Sequence, residues 1–185
     1  MEHRITLPMS EEAALSLHSG DRVLLTGIVY TARDEAHERL VKEENWPFEP
    51  RDAAIYYTGP CPAPPGAVIG PVGPTTSARM DAYTPAVLEK GVRCFIGKGQ
   101  RSETVKTALR EHHAVYLAAT GGAGALLSKR VKAARVLAYP ELGAEAVYEL
   151  TVEELPCTVI NDCWGGDLYL SRLPLGVATR PGGSE

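Results

Sequence analysis

Four runs rich in branched and aromatic apolar residues, RVLLTGIVY, AAIYYTG, VRCFIG and AVYLAA, recur through the first 119 positions, and a stretch of helical pattern follows each. This alternation limits the fold more than any other feature. Strands joined through helices lie parallel in one sheet, with the helices packed against it. Further strand-like runs toward the C-terminus make the expected sheet only partly parallel, so the chain reads as α/β.

RVLLTGIVY (22–30) predicts a strand running into TARDEAHERLVKEEN (31–45), a helix with Ala32, Ala36 and Leu40 on one face. AAIYYTG and GAVIGP read as strands on either side of a rigid PCPAPPG loop. MDAYTPAVLEKG (80–91) reads as a helix with a proline in its first half and a stop at Gly91. SETVKTALREHH aligns Val105, Ala108 and Leu109 on a helical face, and TGGAG (120–124) leads from AVYLAA into a short helix. AARVLAY, AEAVYELTV and CTVIND read as a final group of strands. The expectation is one domain over residues 1–170 and a flexible tail over 171–185.

The chain has 185 residues, 44% of them hydrophobic, enough for a core of its own. A net charge of −4 without any Lys/Arg-rich run argues against a nucleic-acid partner. No apolar run approaches the roughly 20 residues of a membrane span, and the acidic, weakly apolar start does not read as a secretory signal. The expected location is the cytoplasm, with reduced thiols. Cys61, Cys94, Cys157 and Cys163 lack the tight spacings of zinc or iron–sulfur sites and read as free thiols, buried or half-buried.

Ligands in open α/β sheets sit beyond the carboxyl ends of the strands, so the strand-to-helix junctions bear most directly on function. The first, YTARD, offers Thr31 as a cap with Asp34 three residues on, and places Arg33 against the helix dipole. The second, GPTTSAR, offers Thr75 or Thr76 as a cap and sets Arg79 against the dipole. The third, IGKGQRS, holds Lys98 between two glycines, and the fourth is the glycine-rich TGGAG. A helix mouth with a nearby guanidinium is an anion site. Cations from three junctions suit an anion with more than one charged end, a dicarboxylate better than a phosphate compound. Taken singly each has an ordinary reading, with Asp34 beside Arg33 and Asp81 near Arg79 as ready ion-pair partners. Their repetition at equivalent junctions favours the site. His37, four residues after Arg33, reads as a surface residue, as Cys61 reads as a loop thiol.

GPTTSARMDAYTP, GKGQRS and YPELGAEAV together resemble the C-terminal region of the iron–sulfur hydro-lyases, the class I fumarases and the L(+)-tartrate dehydratases, which in two-chain members is a separate beta subunit. The resemblance implies a swivelling β/β/α fold and reversible hydration of fumarate to malate. It implies a four-iron, four-sulfur cluster on a separate alpha subunit, none on this chain, and a hetero-oligomer. By motif, Arg33, Arg79 and Lys98 resemble the substrate-carboxylate ligands, and Thr75 resembles the threonine that takes a proton from carbon. KGQRS and YPELGAEA look more like fumarases, whereas NDCWGGDLY departs from the fumarase pattern near the C-terminus. A tartrate or methylated-fumarate hydro-lyase, or a non-catalytic organic-anion-binding domain, remains open.

Overall fold

A computed structural model describes residues 1–119 and 123–172. Among the described residues there are seven strands: β1 (Glu2–Thr6), β2 (Arg22–Thr31), β3 (Ala54–Tyr56), β4 (Cys94–Gly97), β5 (Val115–Ala119), β6 (Val131–Ala138) and β7 (Val147–Asn161). They are accompanied by helices α1 (Glu11–Leu15), α2 (Asp34–Leu40), α3 (Thr84–Glu89), α4 (Glu103–Glu111), α5 (Gly124–Ser128) and α6 (Leu168–Ser171), with short 3₁₀ turns at Ser77–Met80 and Pro140–Glu145.

The sheet runs β1-β2-β3-β4-β5-β7-β6. β1 to β5 pair in parallel, and β7 runs antiparallel to β2, β5 and β6. Because β7 bonds both β5 and β2, the pairing β2–β3–β4–β5–β7 returns to its start. The mixed α/β architecture agrees with the sequence expectation.

The period-two alternation of the strands sorts their side chains into two cores. Ala54, Tyr56, Cys94, Ile96, Val115 and Leu117 face one, with Leu25 and Val159. Ile55, Tyr57, Phe95 and Tyr116 face the other, where α2, α3 and α4 supply Ala36, Leu40, Val87, Leu88, Val105 and Leu109. Burial on both faces explains why these strands read as continuous apolar runs rather than alternating ones. α4 begins with the Ser102 side chain accepting from the Val105 amide and buries Val105, Ala108 and Leu109, the face its pattern predicts.

Several elements differ from expectation. GAVIGP forms no strand: residues 61–68 lie exposed, and the stretch stays in a loop. The stretch expected as one helix over 31–45 forms only α2, because Thr31 ends β2 instead. The helix expected over 80–91 starts as the 3₁₀ turn and resumes at α3, with Pro85 in its first turn, where a missing N–H costs nothing. The two strands expected over 144–152 and 157–162 are the single β7, which kinks at Glu154 (φ 50°) instead of ending. Residues 120–122 of TGGAG and 173–185 of the expected tail lie outside the described residues.

Gly27 shows how tightly β1 and β2 are joined. It has φ +133° at a register shift of β2 against β7, and an added Cβ would lie 2.8 Å from the Leu7 carbonyl oxygen. Gly27→Ala combines a strained backbone with overpacking and is expected to destabilise the chain by about 2–4 kcal/mol. Urea unfolding measures the loss, which a change below about 1 kcal/mol on the same scale would contradict.

Candidate active site

The carboxyl ends of β2, β3 and β4 lie side by side, and the loops beyond them meet. Arg33 stands two residues past the end of β2. After β3 the chain makes a long excursion and returns at Thr75, whose N–H donates to the Tyr57 carbonyl at 2.7 Å. Thr76 then pairs with Lys98 in a parallel bridge, and the Ser77 N–H donates to the Lys98 carbonyl at 2.9 Å. The returning segment thus adds a rung beyond the end of β4. The Arg33 guanidinium crosses Gly59, where an added Cβ would sit 2.9 Å from Nη1. Arg79 reaches back to Asp34, Nη2 to Oδ2 at 3.5 Å. Arg33, Thr75, Arg79 and Lys98 are therefore brought to one edge of the sheet by four separate contacts.

The approach of residue 77 to β4 requires Gly97, since any Cβ there would fall 2.0 Å from Ser77 Oγ and 2.8 Å from a Tyr57 ring carbon. A directed chain of hydrogen bonds then ties the loops. The Lys98 N–H donates to Ser77 Oγ at 3.1 Å. Ser77 Oγ lies 2.8 Å from the Tyr116 hydroxyl, which donates to the Gly99 carbonyl at 2.9 Å. Because the Tyr116 proton is committed to Gly99, Ser77 is the donor to Tyr116.

The geometry corrects part of the electrostatic expectation. Arg33 is the residue at which α2 is capped, without a side-chain cap bond, and Asp34 and Glu35 occupy the first turn. Arg79 lies in a four-residue 3₁₀ turn rather than an α-helical first turn. Arg33 thus stays at the positive end of α2, at the cap rather than in the first turn, while Arg79, in the last turn of its 3₁₀ segment, does not oppose a helix dipole. The partners also differ: Arg33 Nε faces Glu145 at 3.5 Å, not Asp34, and Asp81 is taken by Arg101 at 2.6 Å. Both contacts of Arg33 and Arg79 are loose, and the Arg79 side chain is 50% exposed. Lys98 is exposed as well. Thr31 caps nothing: its hydroxyl donates to the Ala146 carbonyl and accepts from the Tyr148 N–H, fixing the end of β2 to the start of β7. Thr76 makes no side-chain cap bond either.

His37 is fully buried rather than at the surface. Its ring sits between Tyr57 and Tyr83, and Nδ1 donates to the Arg33 carbonyl at 2.8 Å, which holds the neutral tautomer. Burial pushes its pKa down to about 4, against the opposing pull of the Arg33 carbonyl and with the Arg101 charge adding to the fall. Arg101, 4% exposed, goes unnoticed in the sequence, where an arginine ahead of a helix cap ordinarily faces water. Nothing local distinguishes it, because its burial depends on Tyr57 and Tyr116 from other strands.

The profile of the fumarase C-terminus family matches residues 1–172. The chain belongs to the fumarase C-terminal family. This fumarase C-terminal chain is 39% identical over 160 residues to fumarate hydratase 2 of Leishmania major, covering 83% of the chain and 28% of that protein. It is 36% identical over 165 residues to the aerobic class I fumarate hydratase of Escherichia coli K12, covering 86% of the chain and 30% of that protein. It therefore spans under a third of the length of these fumarate hydratases. A putative L(+)-tartrate dehydratase subunit beta of Methanocaldococcus jannaschii is 37% identical over 171 residues, 87% of the chain and 88% of that subunit.

The thiols of this fumarase C-terminal chain do not form a donor set for an iron–sulfur cluster. Cys94 on β4 and Cys157 on β7 are buried with pKa values pushed up by burial, to about 12 for Cys157, which disfavours the thiolate a metal needs. Cys163 is buried beyond β7, and Cys61 is exposed in the proline-rich loop. Among the described residues no three His, Cys, Asp or Glu side chains gather to hold a metal ion, and no helix is long and apolar enough to cross a membrane. An apolar groove of about 530 Å³ lined by Leu126, Leu127 and Arg130 includes none of the four candidate residues. Among the described residues Arg79 and Lys98 leave the candidate edge open to solvent.

The His37 environment has a pH signature. The unfolded chain protonates this histidine below its ordinary value of 6.5 while the folded chain resists until about 4. Its contribution is fully present above pH 6.5 and is lost as pH falls toward 4, amounting to about 3 kcal/mol at most, at about 1.36 kcal/mol per unit. His37→Phe is expected to flatten the wild-type decline in unfolding free energy between these limits. Parallel curves for the two proteins would show that His37 does not carry it.

Proposed function

We propose that this chain is the beta subunit of an iron–sulfur hydro-lyase that reversibly hydrates fumarate to malate in the cytoplasm. The observation that carries the reading is the gathering of three cations from three loops around Thr75 on one open edge. Two arginines and a lysine supply the charges needed to orient both carboxylates of a dicarboxylate across that edge. Among the described residues the ion pairs of Arg33 and Arg79 are 3.5 Å contacts, and although the Arg33 Nε is buried, the Nη groups of both remain for a ligand. Thr75 is assigned the proton at carbon. A hydroxyl is a weak base alone: the form that takes the proton from carbon is the alkoxide, which the surrounding cations favour and which becomes the hydroxyl, and in the hydration direction the hydroxyl returns that proton to carbon.

The rest of the enzyme is assigned to a cluster-bearing alpha subunit. This agrees with a relative of matching length that is named a subunit beta, and with fumarate hydratases about three times as long. A partner would also close the open edge against water. The second reading, an L(+)-tartrate dehydratase subunit, is favoured by that same full-length relative and by NDCWGGDLY. Co-purification with the alpha subunit and a dicarboxylate panel decide between them: fumarate and malate turnover is expected to dominate over tartrate and methylated fumarate. A pair that binds dicarboxylates and turns over none of them would make the domain a binding module.

Two substitutions in the reconstituted pair separate the roles. Thr75→Ala is expected to lower kcat by at least about a hundredfold and leave KM nearly unchanged, since the proton transfer belongs to the transition state. Normal kcat would reduce Thr75 to a structural residue. Arg79→Lys keeps the charge and loses the fork. It is expected to lower kcat/KM by roughly ten- to a hundredfold while stability moves by less than about 1 kcal/mol, because the Asp34 pair is exposed. Unchanged kcat/KM would remove Arg79 from the site.

A further inference from the structure

The Arg101 side chain is 0% exposed, an expensive place for a permanent charge. Its Nε donates to Asp81 Oδ1 at 2.6 Å, and Nη2 donates to Thr84 Oγ1 at 2.7 Å and to the Tyr57 hydroxyl at 3.2 Å. The guanidinium carbon lies 5.2 Å from the Tyr57 ring centroid and 4.9 Å from that of Tyr116. Asp81 uses its second oxygen to accept the Ser102 N–H at 2.7 Å. Burial works against the charge, and Tyr57 and Asp81 outweigh it, so Arg101 stays protonated. A buried ion pair seldom stabilises a fold more than a packed apolar pair of the same volume would. Stability alone does not account for a cation here.

What the group joins does account for it. Tyr57 holds the Thr75 amide through its carbonyl. Asp81 ends the turn that carries Arg79. Tyr116 closes the hydrogen-bond chain through Ser77 that holds the Lys98 amide and the Gly99 carbonyl. The His37 ring, 5.5 Å from that of Tyr57, carries the contact on to the Arg33 carbonyl. Only a planar cation with several donors reaches Asp81, Thr84 and Tyr57 at once while lying over two rings.

We propose that Arg101 is a positioning residue, a buried clamp that fixes residues 98–102 against residues 75–84 and thereby sets the spacing of Lys98, Thr75 and Arg79. The inference rests on the hydro-lyase reading for its consequence in turnover, and not for the clamp itself.

Removing Arg101 alone would strand Asp81, so the test uses Arg101→Met with Asp81→Asn, which removes both charges, keeps apolar bulk against the rings and leaves an acceptor for Ser102. The melting temperature is expected to stay within about 5 °C of wild type. Amide exchange at Lys98, Ser77 and Ser102 is expected to quicken by about tenfold or more, with amides of β5 and β7 unchanged. In the enzyme assembled with its alpha subunit, kcat/KM is expected to fall by about a hundredfold, the scale of a misplaced reacting group. Tyr57→Phe removes the hydroxyl that accepts from Arg101 Nη2 at 3.2 Å and keeps the ring beneath the guanidinium; it is expected to speed exchange at Lys98 and Ser102 and lower kcat/KM by about tenfold. This single variant decides the matter if the double variant does not fold. Unchanged exchange at Lys98 and Ser102 overturns the clamp, even in an active enzyme. Faster exchange with unchanged kcat/KM overturns its role in positioning. A wild-type assembly inactive on every dicarboxylate overturns the hydro-lyase reading instead, and faster exchange then still supports the clamp.

Discussion

β7 is long enough to hydrogen-bond with three other strands, and the architecture depends on that length. Its first half lies between β6 and β2, and its second half between β2 and β5. The parallel strands alone would leave two open edges. β7 joins β5 back to β2, so the first core is enclosed by paired strands and the second is left for the helices. The positive φ at Glu154 bends the strand enough to serve both halves without breaking it. Once the circuit is closed, the carboxyl ends of β2, β3 and β4 are held at fixed separations, and their loops have nowhere to go but toward one another.

The candidate site is built from backbone contacts first and side chains second. The rung at residues 75–77 binds the end of β3 through Tyr57 and the end of β4 through Lys98. Backbone held on both sides gives a loop the rigidity of a strand, and it carries the cations with little freedom to drift. Beneath it lies a polar layer of Ser77, Tyr57, Thr84, Tyr116, Asp81 and Arg101, almost all buried and mutually bonded. Polar groups in such a place are costly unless paired, so this layer tolerates few arrangements. The Arg33 and Arg79 side chains above it make ion-pair contacts of 3.5 Å.

The family match confirms the resemblance that the motifs carry. The chain corresponds to under a third of the length of the related fumarate hydratases. The putative tartrate dehydratase subunit beta, of nearly the same extent, shows that this length of chain also occurs as a separate subunit in the family.

The sequence by itself determined the alternation of strands and helices, because that rests on local periodicity: α4 and the parallel strands follow their patterns closely. It also marked Arg33, Arg79 and Lys98 as candidates, because glycines, prolines and hydroxyls at strand ends mark loops and cations repeated there stand out, while the choice of Thr75 over Thr76 came from the family resemblance. It did not determine who partners whom. Arg79 pairs with Asp34 from another loop, and Asp81, its neighbour in sequence, is claimed by Arg101. Nor did it reveal that His37 and Arg101 are buried, or that two apparent strands are one. Burial and ion pairing depend on distances between segments far apart in the chain, and the closing of the sheet through β7 sets those distances.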